Sequence, residues 1–142
     1  MPHPWKFLPC AIVIAATAAL ARDDVPWDDQ PPEVGAWFRS LMQPDNPTAS
    51  CCGFADAYEA DSFEVEGDHY VAIITDGRAD PRHGKPALPN GLRVPVPNSK
   101  MKWNAGNPTG HGVLFLSTGT AREDGSERPY GQVYCYVTPG GI

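Results

Sequence analysis

Positive charge is scarce in this chain of 142 residues: eleven lysines and arginines face seventeen aspartates and glutamates, a net charge of −6. That balance leaves no basic footprint for nucleic acid. Long apolar runs are missing as well. The longest, residues 7–20, is 14 residues, short of the ~20 that cross a bilayer as a helix, which excludes a polytopic membrane protein. There is no heptad pattern for a coiled coil, no Gly-x-y period for a collagen-like fibre, no internal repeat and no low-complexity run. Chemical signatures are equally thin. No Cys-x-x-Cys or His-x-x-x-His spacing marks a metal centre, no glycine-rich loop marks a phosphate site, and neither a nucleophile elbow nor a calcium loop is present. Asn46 and Asn107 are each followed by proline, so neither opens a glycosylation sequon.

What the chain does have is turn material. Fourteen glycines and sixteen prolines make up about a fifth of it, too many for a helical bundle and suited to short strands joined by many turns. Hydrophobic residues at 42 % and charged residues at 20 % are the composition of a folded globule. The length suggests one domain.

The N-terminus carries an address. Lys6 gives a weakly positive start, residues 7–20 an apolar stretch, and Ala19-Leu20-Ala21 a small-x-small cleavage site. Residues 1–21 therefore read as a secretory signal, with an uncleaved N-terminal anchor as the alternative. Cys10 falls inside it. Because Pro9 stands where a lipoprotein signal carries a small residue, Cys10 reads as a leader residue lost on maturation.

Export governs the meaning of the remaining cysteines. In an oxidising compartment they pair, whereas in the cytosol they would more often ligate metal or do catalysis. Adjacent Cα atoms lie ~3.8 Å apart, below the ~4.4–6.8 Å that a disulfide spans, so Cys51 and Cys52 are poor partners for each other. A long-range bridge to Cys135 is expected from one of them, the choice staying open and one thiol being left over. Closing a loop of about 84 residues is worth about 4–5 kcal/mol in the chain-entropy model, a large share of a small domain's stability.

Along the chain, residues 22–32 (RDDVPWDDQPP) are acidic and proline-rich and predict an extended, flexible segment. Pro32, Glu33 and the apolar residues Trp37, Phe38 and Leu41 predict a helix over 33–42, stopped by Pro44. Residues 43–50 read as turn, and 51–58 as a tight segment with one helical turn. From Ser62 the period becomes two: Phe63 and Val65 alternate with Glu64 and Glu66, Gly67-Asp68 turns, and 69–75 returns as a strand. A long polar loop covers 76–90. Leu92, Val94 and Val96 make a third strand that Pro95 and Pro97 confine to an edge. Residues 98–103 suit a helical turn, 104–112 a loop, 113–117 a buried strand, 118–128 a polar connection and 132–138 a closing strand. The fold class is mainly β: a small, bent antiparallel sheet or SH3-like barrel over 33–142, with one short N-terminal helix and a disulfide staple.

Several blocks carry a resemblance: Trp37-Phe38-Arg39-Ser40-Leu41, Cys51 to Asp56, Gly91 to Pro97, Asn107 to Leu116 and Cys135 to Gly140. With its Cys-Cys-x-x-x-Asp block and closing Cys-Tyr-x-x-Pro-Gly, the chain resembles an uncharacterised family of small secreted or periplasmic proteins of Gram-negative bacteria. Some of those proteins have a further cysteine after the aspartate, where this chain has Ala57. The resemblance implies a periplasmic or secreted domain and brings no activity with it.

Candidate chemistry is sparse. Cys52, His111 and Asp56 are the residue types of a thiol nucleophile, a base and an orienting acid, but a secreted cysteine beside a turn is more commonly half of a disulfide. No catalytic residue is assigned. A soft copper or zinc site from Cys51, Cys52, Cys135 and His111, with His69 as a substitute, is the alternative reading. Twelve carboxylates fall between Asp23 and Asp68, including the series Glu59, Asp61, Glu64, Glu66 and Asp68, and read as a solvated face. The basic residues Arg78, Arg82, Lys85, Arg93, Lys100 and Lys102 read as loop charges that keep the chain soluble, or that close on the acids or dock an acidic partner. Aromatic residues are plentiful. Tyr134 and Tyr136 share a parity on the last strand, opposite Cys135, so with Trp103 and Tyr130 they make a candidate stacking surface for peptide or glycan, packing against the N-terminal helix being the equal alternative.

These features point to an exported binding or structural module of the cell envelope. No cofactor and no enzymatic activity are expected. The expected partners are an envelope protein, a peptide or a glycan, with no nucleic acid and no membrane span once the signal is removed. A thiol or metal protein for copper or zinc is the alternative.

Overall fold

The computed structural model of the chain describes residues 30–51, 56–103, 106–119 and 127–139. The expected signal, most of the acidic segment, Cys10, residues 52–55 and the centre of the 118–128 connection lie outside the described residues; of the tight segment expected over 51–58, Ala57 and Tyr58 are extended instead.

Helix α1 (Pro32–Ser40) opens on Pro32, whose missing N–H falls where the helix has no use for one, with Glu33 in its first turn and Arg39 in its last to complement the dipole. Val34, Trp37 and Phe38 form its buried stripe. It ends two residues before the expected Met42, because Leu41 turns extended and the chain pairs at once as β1 (Met42–Gln43) with β2 (Asn46–Ser50). The stretch read as turn is therefore a hairpin.

Seven further strands follow: β3 (Ala57–Glu59), β4 (Ser62–Glu66), β5 (His69–Ile73), β6 (Arg93–Val96), β7 (Met101–Lys102), β8 (Val113–Leu116) and β9 (Val133–Val137). They make two sheets of order β3-β8-β9-β7 and β4-β5-β6. Every pairing is antiparallel except β7 with β9. The expected strand pair at Gly67-Asp68 is β4–β5, with Gly67 at φ +61°, and Pro95 sits on the edge strand β6. Among the described residues the sheets stay separate, so the barrel alternative gives way to an open, layered β fold.

The four-stranded sheet is the middle layer. On one face α1 packs through Val34, Trp37, Phe38 and Leu41 onto Ala57, Val113, Phe115, Cys135 and Val137. Phe38 meets Phe115 edge-on, with ring centroids 5.6 Å apart. On the other face Tyr58, Leu114, Leu116 and Tyr136 pack against Ala72, Val94 and Val96 of the three-stranded sheet. Both faces are covered, so β8 is apolar at every position (VLFL) and buried throughout. A disulfide between Cys51 and Cys135, which are fully buried in the helix-side core, closes 84 residues of chain.

One irregularity governs the last strand. Phe115 pairs with Cys135, but Leu116 pairs with Val133, leaving Tyr134 as the extra residue of a β-bulge. The bulge breaks the alternation of faces. Val133 joins the core between the sheets, while Tyr134 and Cys135 both lie on the helix side.

Candidate functional site

The end of the three-stranded sheet carries an aromatic corner. Phe63 and Val65 of β4 lie across from Ala72 and Tyr70 of β5, and Trp103, just past β7, closes over them. Its indole stands edge-on to Tyr70 at 5.3 Å and to Phe63 at 6.0 Å, and the rings of Phe63 and Tyr70 are 5.9 Å apart. Phe63 also touches Tyr136, at 6.2 Å, which anchors the corner in the core. Trp103 remains 58 % exposed and Val65 63 % exposed, the two most exposed large apolar side chains among the described residues. Contiguous exposed apolar surface is what partners tend to cover, whereas scattered exposed apolar residues are ordinary.

Of the four aromatic residues expected to share a surface, Trp103 is exposed and the three tyrosines are not. Tyr136 is fully buried and donates its hydroxyl hydrogen bond to Ala60 O at 2.8 Å. Its strand runs between two layers, so facing away from Cys135 means facing the other core. Burial, with the Asp61 charge adding to it, holds its phenol well above the usual range. Tyr130 is buried beneath the Arg128 guanidinium, 4.4 Å from its ring centre. Tyr134 is turned to the helix side by the bulge and packs there, half-buried. Phe63 and Tyr70, read from the sequence as strand residues, are the partners that Trp103 has instead.

The soft-metal set of Cys51, Cys52, Cys135 and His111 does not form. Cys51 and Cys135 are joined to each other and buried, so neither offers a thiolate, and Cys52 lies outside the described residues. His69 sits apart on β5, with Nδ1 3.5 Å from Asp68. His111 has other neighbours: its Nδ1 lies 3.1 Å from Asp61 Oδ2 and 3.8 Å from Glu59 Oε2. Burial holds the Glu59 carboxyl above its ordinary value; His111 pulls against this, Asp76 and Asp61 add to it, and Arg78 subtracts. Reading the acidic series as one solvated face missed this grouping, since the strand pairing that unites residues 59–61 with 111 is not visible in spacing.

The basic stretch closes on the molecule. Arg78 binds Asp76, Arg82 lies 3.7 Å from Asp80, Arg93 reaches Glu64 and Glu66, and Lys100 reaches Asp45 and the Gln43 side chain. Lys102 donates to Met42 O. Lys85 is buried, lies over the Tyr58 ring and donates to Ala57 O at 3.0 Å. Burial lowers its ammonium below the ordinary value, although Asp76 and Asp80 oppose the shift. Each of these cations thus has a partner within the chain, although the Arg78, Arg82 and Arg93 side chains stay about half exposed.

Comparison with protein-family models, with curated proteins and with solved structures gives no match to this chain. No described helix is long and apolar enough to cross a membrane.

Proposed function

We propose that the protein is an exported, non-catalytic binding module of the cell envelope that takes an extended peptide segment of an envelope protein at the corner formed by Trp103, Tyr70, Phe63 and Val65. The observation that carries this reading is the indole of Trp103, more than half exposed yet held edge-on by two rings. Aromatic side chains fixed in this way give large contact area with little further loss of side-chain freedom, which is why Trp and Tyr dominate binding hot spots. The neighbouring edge favours a peptide. β4 is an outer strand of its sheet, and the backbone of such an edge is a template for one more strand. The leader at residues 1–21 and the long-range disulfide support export to a periplasmic or secreted location.

A photo-crosslinking residue at position 65 tests the reading in intact cells. One discrete, protease-sensitive adduct is expected, lost on Trp103→Ala and absent when the crosslinker stands at exposed position 48. An adduct that survives Trp103→Ala, or its absence at 65, overturns the proposal. An adduct removed by glycan-degrading enzymes and resistant to protease replaces the peptide with a glycan.

A further inference from the structure

We infer that Glu59, Asp61 and His111 form a binding site for one divalent transition-metal ion of the zinc type, separate from the aromatic corner and from the disulfide.

Three ligand atoms, one from each side chain, lie within 4.8 Å of one another. An imidazole nitrogen and two carboxylate oxygens suit zinc, and two negative charges balance a divalent ion. The spacing can be judged more closely. Bonds of about 2.0–2.2 Å at a tetrahedral centre place ligand atoms about 3.3–3.5 Å apart. His111 Nδ1 lies 3.1 Å from Asp61 Oδ2 and 3.8 Å from Glu59 Oε2, so the observed distances bracket that edge. The same nitrogen faces both carboxylates. A hydrogen on Nδ1 can be directed at one of them; an ion in its place serves both, with that proton released to solvent.

The backbone holds the set in position. Glu59 of β3 pairs with Val113 of β8. Ala60 N–H donates to Gly112 O at 2.8 Å, and Gly112 N–H donates to Asp61 Oδ1 at 2.9 Å. Both Asp61 oxygens stay beside the imidazole, Oδ1 at 3.2 Å and Oδ2 at 3.1 Å from His111 Nδ1. A Cβ at position 112 would collide with Ala60 O, so the close approach that brings 59–61 against 111 requires glycine. Upstream, Asn107 donates to His111 O at 2.6 Å, and the His111 N–H donates to Thr109 Oγ1 at 3.0 Å. Asp76, the next acid, is engaged by Arg78 through both carboxylate oxygens and stays outside the set. The His111 and Asp61 side chains are 43 % and 39 % exposed, which gives an ion a way in and leaves a coordination position open to water.

The test is a calorimetric titration of zinc into the full chain, expressed without a tag and stripped of metal with a chelator, near neutral pH. One ion per chain is expected, with a dissociation constant of about micromolar or tighter. His111→Ala and Asp61→Asn should each weaken binding by at least about tenfold, whereas His83→Ala and Cys52→Ser should leave it unchanged. Cobalt in place of zinc should show the visible bands of a tetrahedral ion, lost in His111→Ala. A measurement on the unaltered protein stands beside the variants: zinc should slow modification of His111 by diethyl pyrocarbonate, read by mass spectrometry. Absence of one-to-one binding, unchanged affinity in His111→Ala, loss of binding in Cys52→Ser, or no protection of His111 overturns the site.

Discussion

Replacing Cys135 is the sharpest test of how this chain holds its shape. The Cys51–Cys135 bond closes 84 residues, from the end of β2 to the middle of β9. Chain entropy assigns about 4–5 kcal/mol to a loop of that length. Cys135→Ala also removes a fully buried sulfur from the helix-side core, worth about 1 kcal/mol. The sum, about 5–6 kcal/mol, compares with a total of about 5–15 kcal/mol for an ordinary domain. With about 1–3 kcal/mol per molar of urea, the unfolding midpoint should fall by about 2–6 M. Position 135 is the one to change, because after Cys51→Ala the neighbouring Cys52 remains to pair with Cys135. Equilibrium unfolding under non-reducing conditions, followed by circular dichroism and by tryptophan fluorescence, gives the number. A midpoint that falls by less than about 0.5 M, with m unchanged, would refute the claim that the cross-link acts by restricting the unfolded chain.

Three further outcomes follow from the packing. Trp103→Ala should cost less than about 1.5 kcal/mol, because the indole is mostly exposed and its edge contacts are weak, whereas Tyr136→Ala should cost about 3–5 kcal/mol by emptying the core between the sheets; equal costs in urea unfolding would mean that the corner is core. Gly112→Ala should lose about 1–3 kcal/mol through its clash with Ala60 O and Pro139 Cδ, and an unaffected melting temperature would show that the β3–β8 approach is slack. At alkaline pH the folded state keeps protons that the unfolded state releases. Burial pushes the Tyr58 phenol up to about 12, the Asp56 charge adding to it, and Tyr136 is raised as well; stability should therefore fall as pH climbs from 10 towards 12, by about 2 kcal/mol for Tyr58, and Tyr58→Phe should flatten the decline in a pH series of urea midpoints.

Local patterning made much of the architecture legible. The helix stripe at Trp37 and Phe38, the hairpin signalled by alternation around Gly67-Asp68, the edge strand marked by Pro95 and the uninterrupted VLFL strand are each set by neighbours in sequence. Pairings of distant short segments were not legible. β1, β3 and β7 are two or three residues long, too short for a period to declare itself; β2 (NPTAS) has no large apolar residue to alternate; and β7 joins β9 in parallel. The site followed the same division. An exposed tryptophan can be named from sequence, but its partners Phe63 and Tyr70 come from another sheet, and Glu59 reaches His111 through strand pairing.

The misplaced tyrosines show where reasoning from alternation fails. It assumes one dry face and one wet face, and β9 has two dry ones. Its Cys135 side is closed by α1 and its Tyr136 side by the three-stranded sheet, so the parity of a residue selects which core it enters rather than whether it is buried. The bulge at Tyr134 then shifts that parity within the strand itself. This layering separates tasks in space. The disulfide braces the face under the helix, while Trp103 and the Glu59–Asp61–His111 grouping depend on the three-stranded sheet and the β3–β8 edge. Surface chemistry at the Trp103 corner can therefore change by substitution without disturbing the cross-link, provided that Tyr136 and Phe63, which tie the corner to the core, are kept.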